Sequence, residues 1–309
     1  MRLGTCPNLS PTDRLGLVRV KVLGPIMVGA DGGTSHLDNC ERAVLGCLIA
    51  QRDHYVSRDA LIDAVWPIQA PKTARKTLQG LVLRVRKVVG FDAITSIEGG
   101  YHLNSERIDL DLTEFKTLVE SGRDAIRTGE LGIGIESLER ALLLWRGEPY
   151  GNLGETCVAM PERRWLGEVR YNALEMLASG LVLDNSSNAA TEILERLVAE
   201  EPLRESAWVS LGMALVAGGR RAEALAVCSR ARRVLIEELG ATPGGALQAL
   251  ERDLVANEKS PVASLNPGAS CRCASEHVRG LKVRTVRSTR MVSAALREVT
   301  DRRMVLQAV

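Results

Sequence analysis

The chain has 309 residues, 45% hydrophobic and 25% charged, which supplies core for about two domains, excludes disorder throughout and breaks every apolar run before the ~20 residues of a spanning helix. Aromatics make up only 3%, so any core is built from Leu, Val, Ala and Ile. The net charge of +2 divides into +4 over residues 1–105, −8 over 106–259 and +6 over 260–309, which points to one part that meets a polyanion and one that does not.

Val18, Val20 and Val22 alternate with Arg19 and Lys21, the pattern of a strand with one buried face, and Gly24-Pro25 ends it. A second strand is expected at Ile26 to Val28. Asp31-Gly32-Gly33 is a turn signal that returns the chain through Thr34 to Leu37 as a small antiparallel sheet. Asp38 and Glu41 have capping-box spacing, and Ala43, Val44, Cys47 and Leu48 recur at helical intervals behind them. Ser57 caps a second helix whose stripe is Leu61, Ile62, Val65 and Trp66, and Pro67 terminates it.

A third helix is expected from Pro71, with Ala74, Leu78, Leu81, Val82, Val85 and Val89 on one stripe. At ~100° per residue, Lys72, Arg75, Lys76, Gln79, Leu83, Arg86 and Lys87 fall on the opposite arc, with Arg84 beyond its edge. Residues 71–89 hold six Lys and Arg and no acid, whereas a merely solvated face intersperses Glu with Lys. Ile94 to Ile97, Gly99-Gly100 and Tyr101 to Leu103 then read as a hairpin with a glycine turn.

The run from Trp66 through ARKTLQGLVLRVRKVVG to ITSIEGGYHL, with its preceding strands, resembles the OmpR/PhoB-type winged helix-turn-helix. That resemblance implies a third helix in the major groove of DNA and a hairpin wing, here Gly100, Tyr101 and His102, on the neighbouring backbone or minor groove. Lys72, Arg75, Lys76, Arg84, Arg86 and Lys87 are suited to phosphates, and an Arg among them to guanine O6 and N7. Thr77 and Gln79 are placed for base edges, Gln79 for bidentate pairing with adenine. Leu83 is either a stray surface residue or a contact for thymine methyls.

From Asp109 to Asn257 no convincing period-two run occurs; Leu and Ala recur at three and four, and the segment reads as helical. Trp208, Leu211-Gly212, Leu215, Ala224, Cys228 and Ala231 reproduce the tetratricopeptide (TPR) offsets. A weaker copy holds Gly122, Ala125, Leu138 and Ala141, and helices near Trp165–Leu183 and Ala189–Glu200 fill the interval. About three helix pairs in one superhelical domain are expected. Trp145 and Trp208 read as core anchors, and Arg146 and Arg204 as caps of helix ends.

Asp109, Leu110 and Phe115, the block Leu143-Leu144-Trp145-Arg146-Gly147-Glu148-Pro149, Pro202-Leu203-Arg204-Glu205, Gly219-Arg220 with Glu223-Ala224-Leu225, and Glu238-Leu239-Gly240 with Pro243 are similar, in the same order, to the bacterial transcriptional activator domain of the Streptomyces antibiotic regulatory protein (SARP) family. The two resemblances cover roughly residues 16–258. They imply a mainly α protein with this organisation: a flexible N-terminus over 1–15, a winged helix with small β-sheets over 16–105, an all-α TPR-like domain over 106–258, and a basic, disordered tail over 259–309. The family implies a pathway-specific activator of secondary metabolism that binds direct repeats in double-stranded DNA and recruits RNA polymerase through its sigma subunit, with a homodimer forming on DNA.

No G-x-x-x-x-G-K-[ST], HExxH or GxSxG occurs, and the four His, at 36, 54, 102 and 277, are far apart, so no enzyme is expected. The seven cysteines are too sparse for a disulfide framework; Cys271, Cys273 and His277 offer only three zinc ligands at unusual spacing, and no metal or other cofactor is expected. Residues 1–14 lack the apolar stretch of a secretory signal, which implies the cytoplasm, on the nucleoid when DNA is bound. About 15 residues precede the first strand, too few for a receiver domain. Arg279, Lys282, Arg284, Arg287, Arg290, Arg297, Arg302 and Arg303 give the tail sequence-independent affinity for DNA or no selected role. The rival reading is a helical-repeat protein–protein adaptor whose winged helix no longer binds DNA; Gly80, Leu83 and His102 favour it, and the Lys-rich third helix argues against it.

Overall fold

A computed structural model describes residues 17–30, 33–151, 153 and 158–256. The expected N-terminus 1–15, the Cys271, Cys273 and His277 cluster and the tail 259–309 lie outside the described residues. The protein is mainly α, with small sheets near its N-terminus. Contacts divide the described residues into two compact units: those within 17–115 and 144–167, and those within 116–143 and 168–256.

In the first unit, β1 (Val18–Lys21), β2 (Met27–Ala30), β3 (Gly33–Ser35) and β7 (Ile108–Leu110) form a sheet of order β3-β2-β1-β7. β1 pairs antiparallel with β2, Val20 opposite Val28, and parallel with β7, Val18 opposite Ile108. β2 and β3 run over 27–30 and 33–35 rather than the expected 26–28 and 34–37, because the ladders run only from Met27, opposite Lys21, to Ser35, opposite Val28. β7 corrects the expectation that the segment from Asp109 is helical from its start. Its buried Ile108 and Leu110 flank a half-buried Asp109 over only three residues, too few for a periodic signal.

The helices follow the sequence closely. α1 (Asn39–Ala50) carries the full capping box: Asp38 accepts from the Glu41 amide at 2.8 Å and Glu41 accepts from the Asp38 amide at 2.9 Å. Ser57 caps α2 (Arg58–Val65) by accepting from the Ala60 amide at 3.1 Å. α3 (Ala74–Val89) starts three residues later than expected. Pro71 opens a turn whose carbonyl takes the Ala74 amide at 2.9 Å, and α-helical bonding starts where Thr77 donates to the Thr73 carbonyl at 3.0 Å. Its buried residues are Ala74, Leu78, Leu81, Val82, Val85 and Val89, the expected stripe. A three-stranded sheet, β4-β6-β5, is made of β4 (Tyr55–Ser57), β5 (Ile94–Ile97) and β6 (Gly100–Leu103).

The winged helix does not end its packing at residue 105. α4 (Asp111–Thr128) opens with Asp111, 1% exposed, whose carboxylate accepts from the Val22 and Leu23 amides at 2.8 and 3.2 Å and from Arg146 Nη2 at 3.3 Å. Burial pushes this carboxyl up from its ordinary pKa, against the two amides and Arg146, which favour its charged form. The Trp145-Arg146 segment then returns to the sheet: Arg146 N donates to Leu23 O at 2.8 Å and Tyr150 N to Val22 O at 2.9 Å. Phe115 meets Trp145 edge to face, centroids 5.5 Å apart. Contrary to the expectation from the sequence, Arg146 caps no helix end; it pairs with a buried carboxylate and also donates to Pro25 O. The fully buried Tyr150 donates to Glu162 at 2.6 Å, and Glu162 pairs with Arg52.

The second unit holds the rest of α4, α5 (Leu131–Leu143), the latter part of α6 (Met160–Leu183), α7 (Ser187–Glu200), α8 (Glu205–Ala217), α9 (Arg221–Leu239) and α10 (Gly245–Ala256). α7, α8 and α9 stack in succession, and α10 packs on α8 and α9. Small residues permit such packing: a Cβ on Gly122 would lie 2.6 Å from Leu138 Cγ, and one on Gly212 2.6 Å from Leu250 Cδ2. Trp208 is 3% exposed, donates Nε1 to Pro202 O at 2.8 Å, and lies under the Arg230 guanidinium at 4.8 Å. Arg204 precedes α8, but its side chain makes no cap; it binds Glu175, Glu168 and Asn172 of α6.

Candidate nucleic-acid interface

The apolar stripe of α3 is spent on the core, so its remaining side chains face outward by default. Arg75, Lys76, Thr77, Gln79, Leu83, Arg84 and Lys87 are exposed, as is Lys72 in the preceding turn. No acid stands in the first turn, Thr73 makes no side-chain cap, and Arg86 and Lys87 occupy the last turn. The first amides of α3 and three basic side chains, Lys72, Arg75 and Lys76, therefore share one end of the helix.

The basic residues are not equivalent. Arg84 forms an ion pair with Glu41, with Asp38 3.8 Å away, and this hydrogen bond to Glu41 raises the guanidinium pKa. Arg86, half-buried, donates Nε to Ile94 O and Nη2 to Ser96 Oγ, both at 2.9 Å, so it ties α3 to β5. Arg75 stands 3.6 Å from Asp59, with both side chains more than three-quarters exposed, a contact worth little in water. Thr77 donates its hydroxyl back to Thr73 O at 3.2 Å.

The hairpin residues separate in the same way. Gly100 is buried, and a Cβ there would lie 2.1 Å from Val56 O, so only glycine fits. Tyr101 is 4% exposed: β6 is the middle strand, and its Tyr101 and Leu103 pack inward beside Val56 of β4. His102 is half-buried on the opposite face, in register with Tyr55 and Thr95.

Glu41, Ser96 and Tyr55 were not singled out as parts of this surface by the sequence. Glu41 is recognisable as a capping residue, and only the position of Arg84 beyond the basic arc hinted at a partner. β4 is three residues long and carries no periodic signal. Among the described residues no group of three or more His, Cys, Asp or Glu gathers to hold a metal, and no helix is long and apolar enough to cross a membrane. Cys40, Cys47 and Cys228 are unbridged, and burial pushes the Cys40 and Cys228 thiols up from their ordinary values, Cys228 to about 11.

Comparison with known proteins agrees with this architecture. The family described as "Bacterial transcriptional activator domain" matches residues 110–255. The regulatory protein AfsR of Streptomyces coelicolor is 32% identical over 290 residues, covering 93% of this chain, which spans only 29% of AfsR. The transcriptional regulatory protein MoaR1 of Mycobacterium tuberculosis is 31% identical over 243 residues, 76% of this chain and 78% of MoaR1. The solved structure "Mycobacterium tuberculosis EmbR in complex with low affinity phosphopeptide" superposes with a TM-score of 0.72 at 27% identity, covering 78% of this chain and 66% of that one. The chain belongs to the SARP family of transcriptional activators, regulators rather than enzymes.

Proposed function

We propose that this activator binds double-stranded DNA in a sequence-specific way through α3, at direct repeats upstream of promoters of a secondary-metabolite pathway. The observation that carries this reading is the acid-free, exposed basic face of α3 opposite a fully buried apolar stripe. Lys72, Arg75, Lys76 and Lys87 neutralise phosphates, and Arg86 reaches the backbone from a position set by the wing. Thr77 and Gln79 read base edges, and Leu83, 46% exposed, packs on thymine methyls. Arg84 serves chiefly to hold α3 against α1. Gly100 and Tyr101 shape the wing from within, and His102 lies on its outer face.

The bound form is a homodimer on repeated half-sites in the cytoplasm, on the nucleoid, and recruits RNA polymerase through its sigma subunit. This is supported by the family and by the helical unit that accompanies the winged helix. Selection from random 30-bp duplexes tests the reading. The full chain should enrich a repeated sequence, and Gln79→Ala should relax it at one position per repeat. Recovery of unenriched sequence would instead favour the adaptor reading, for which the exposed Leu83 is the supporting observation.

A further inference from the structure

The wing holds an aromatic side chain to which the DNA-binding reading assigns nothing. Tyr55, on β4, pairs in register with His102 of β6, and its ring lies across the glycine turn. A Cβ on Gly100 would sit 2.8 Å from Tyr55 Cε2, and one on Gly99 only 2.6 Å from the hydroxyl oxygen. The two glycines leave room for this ring, and Gly99 also has φ +84°.

The ring is held, while the hydroxyl has no protein partner among the described residues. Tyr55 is 47% exposed, with its ring beside the turn and its hydroxyl open to solvent. Packing alone requires only a phenyl ring. The turn beneath it is fixed on two sides: the Arg58 amide donates to Gly99 O at 3.0 Å, and Arg86 of α3 donates to Ile94 O and Ser96 Oγ of β5. The hydroxyl is thus kept at a set position relative to the basic helix while its proton remains available.

We infer that the Tyr55 hydroxyl is a further DNA-backbone contact, donating a hydrogen bond to a non-bridging phosphodiester oxygen beside the wing. The inference rests on the DNA-binding reading above. Tyrosine hydroxyls are among the side-chain donors that position a protein on the duplex without reading sequence. A neutral donor displaces no condensed cation, which separates this contact from those of Lys and Arg.

The test uses the full chain, a fluorescent 30-bp duplex of an enriched sequence and a scrambled duplex, titrated at several salt concentrations, with Tyr55→Phe beside the wild type. Loss of one hydrogen bond to a charged phosphate oxygen should raise Kd about tenfold. The factor should be the same at each salt and on both duplexes, with the salt slope and melting midpoint unchanged. Ethylation interference should lose one phosphate from the wild-type pattern, and this comparison, made where both proteins are folded, decides the matter if the variant melts earlier. An unchanged Kd with an unchanged interference pattern overturns the inference and leaves the DNA-binding reading intact. Failure of the wild type to bind either duplex overturns both.

Discussion

Arg84 of α3 is ion-paired with Glu41 of α1, and the same carboxylate accepts the Asp38 amide in the capping box. One nearly buried acid, 6% exposed, therefore caps the start of one helix and orients another. Two of the six basic residues on and before α3 have internal work to do, Arg84 here and Arg86 at the wing. Arg84→Ala should accordingly lower the melting midpoint while changing the salt slope of DNA binding little. Lys76→Ala should do the reverse, reducing the slope by about 1 at constant melting midpoint. Thermal melts and salt titrations on both variants check this.

Asp111 closes the winged helix from outside its sequence-based limits. Asp111→Ala leaves the Val22 and Leu23 amides and the Arg146 guanidinium without their carboxylate, all in or at the core. Removing one partner of a buried pair costs about 3–5 kcal/mol. Urea denaturation of the full chain should show that loss, and a fragment ending at residue 105 should melt below the intact first unit.

Glu139 gives the helical unit a pH response. Burial, and then the nearby Glu136, raise its carboxyl from 4.5 to about 7. The folded state holds a proton that the unfolded chain releases near 4.5, so this contribution is present below that pH and is lost as pH rises through about 7. Glu139→Gln should match the wild-type melting midpoint at pH 5 and exceed it at pH 8. A parallel decline in both proteins across that range would refute the assignment.

Gly100 cannot be replaced. A methyl group there would meet Val56 O at 2.1 Å, backbone against side chain, so the β4-β6 pairing must shift. Gly100→Ala should lower the melting midpoint and weaken DNA binding together, unlike Tyr55→Phe, which should affect binding alone.

Local signals were legible in the sequence. The stripe of α3, the capping box at Asp38 and Glu41, the Ser57 cap and the glycine hairpin all depend on neighbours within a few residues, and periodicity exposes them. Pairings distant in the chain were not. β7 joins β1 across some 90 residues, and the Trp145-Arg146 segment closes on Leu23 although its own sequence suggests only a helix end. Tyr101 follows the wing glycines and so resembled a surface residue, but β6 lies between two strands and turns that side chain inward. The basic face itself was legible; which of its charges are free for DNA was not, since Glu41 and Ser96 lie on other elements.

The central claim, that the exposed face of α3 holds DNA, is tested most directly by the salt dependence of Kd for the full chain on its enriched duplex, with a Lys72→Ala, Lys76→Ala, Lys87→Ala triple variant in parallel. The account predicts a linear log–log slope reflecting several phosphate contacts, reduced by about 3 in the triple variant at unchanged melting midpoint. An unchanged slope in the triple variant would place DNA on another surface and contradict the account.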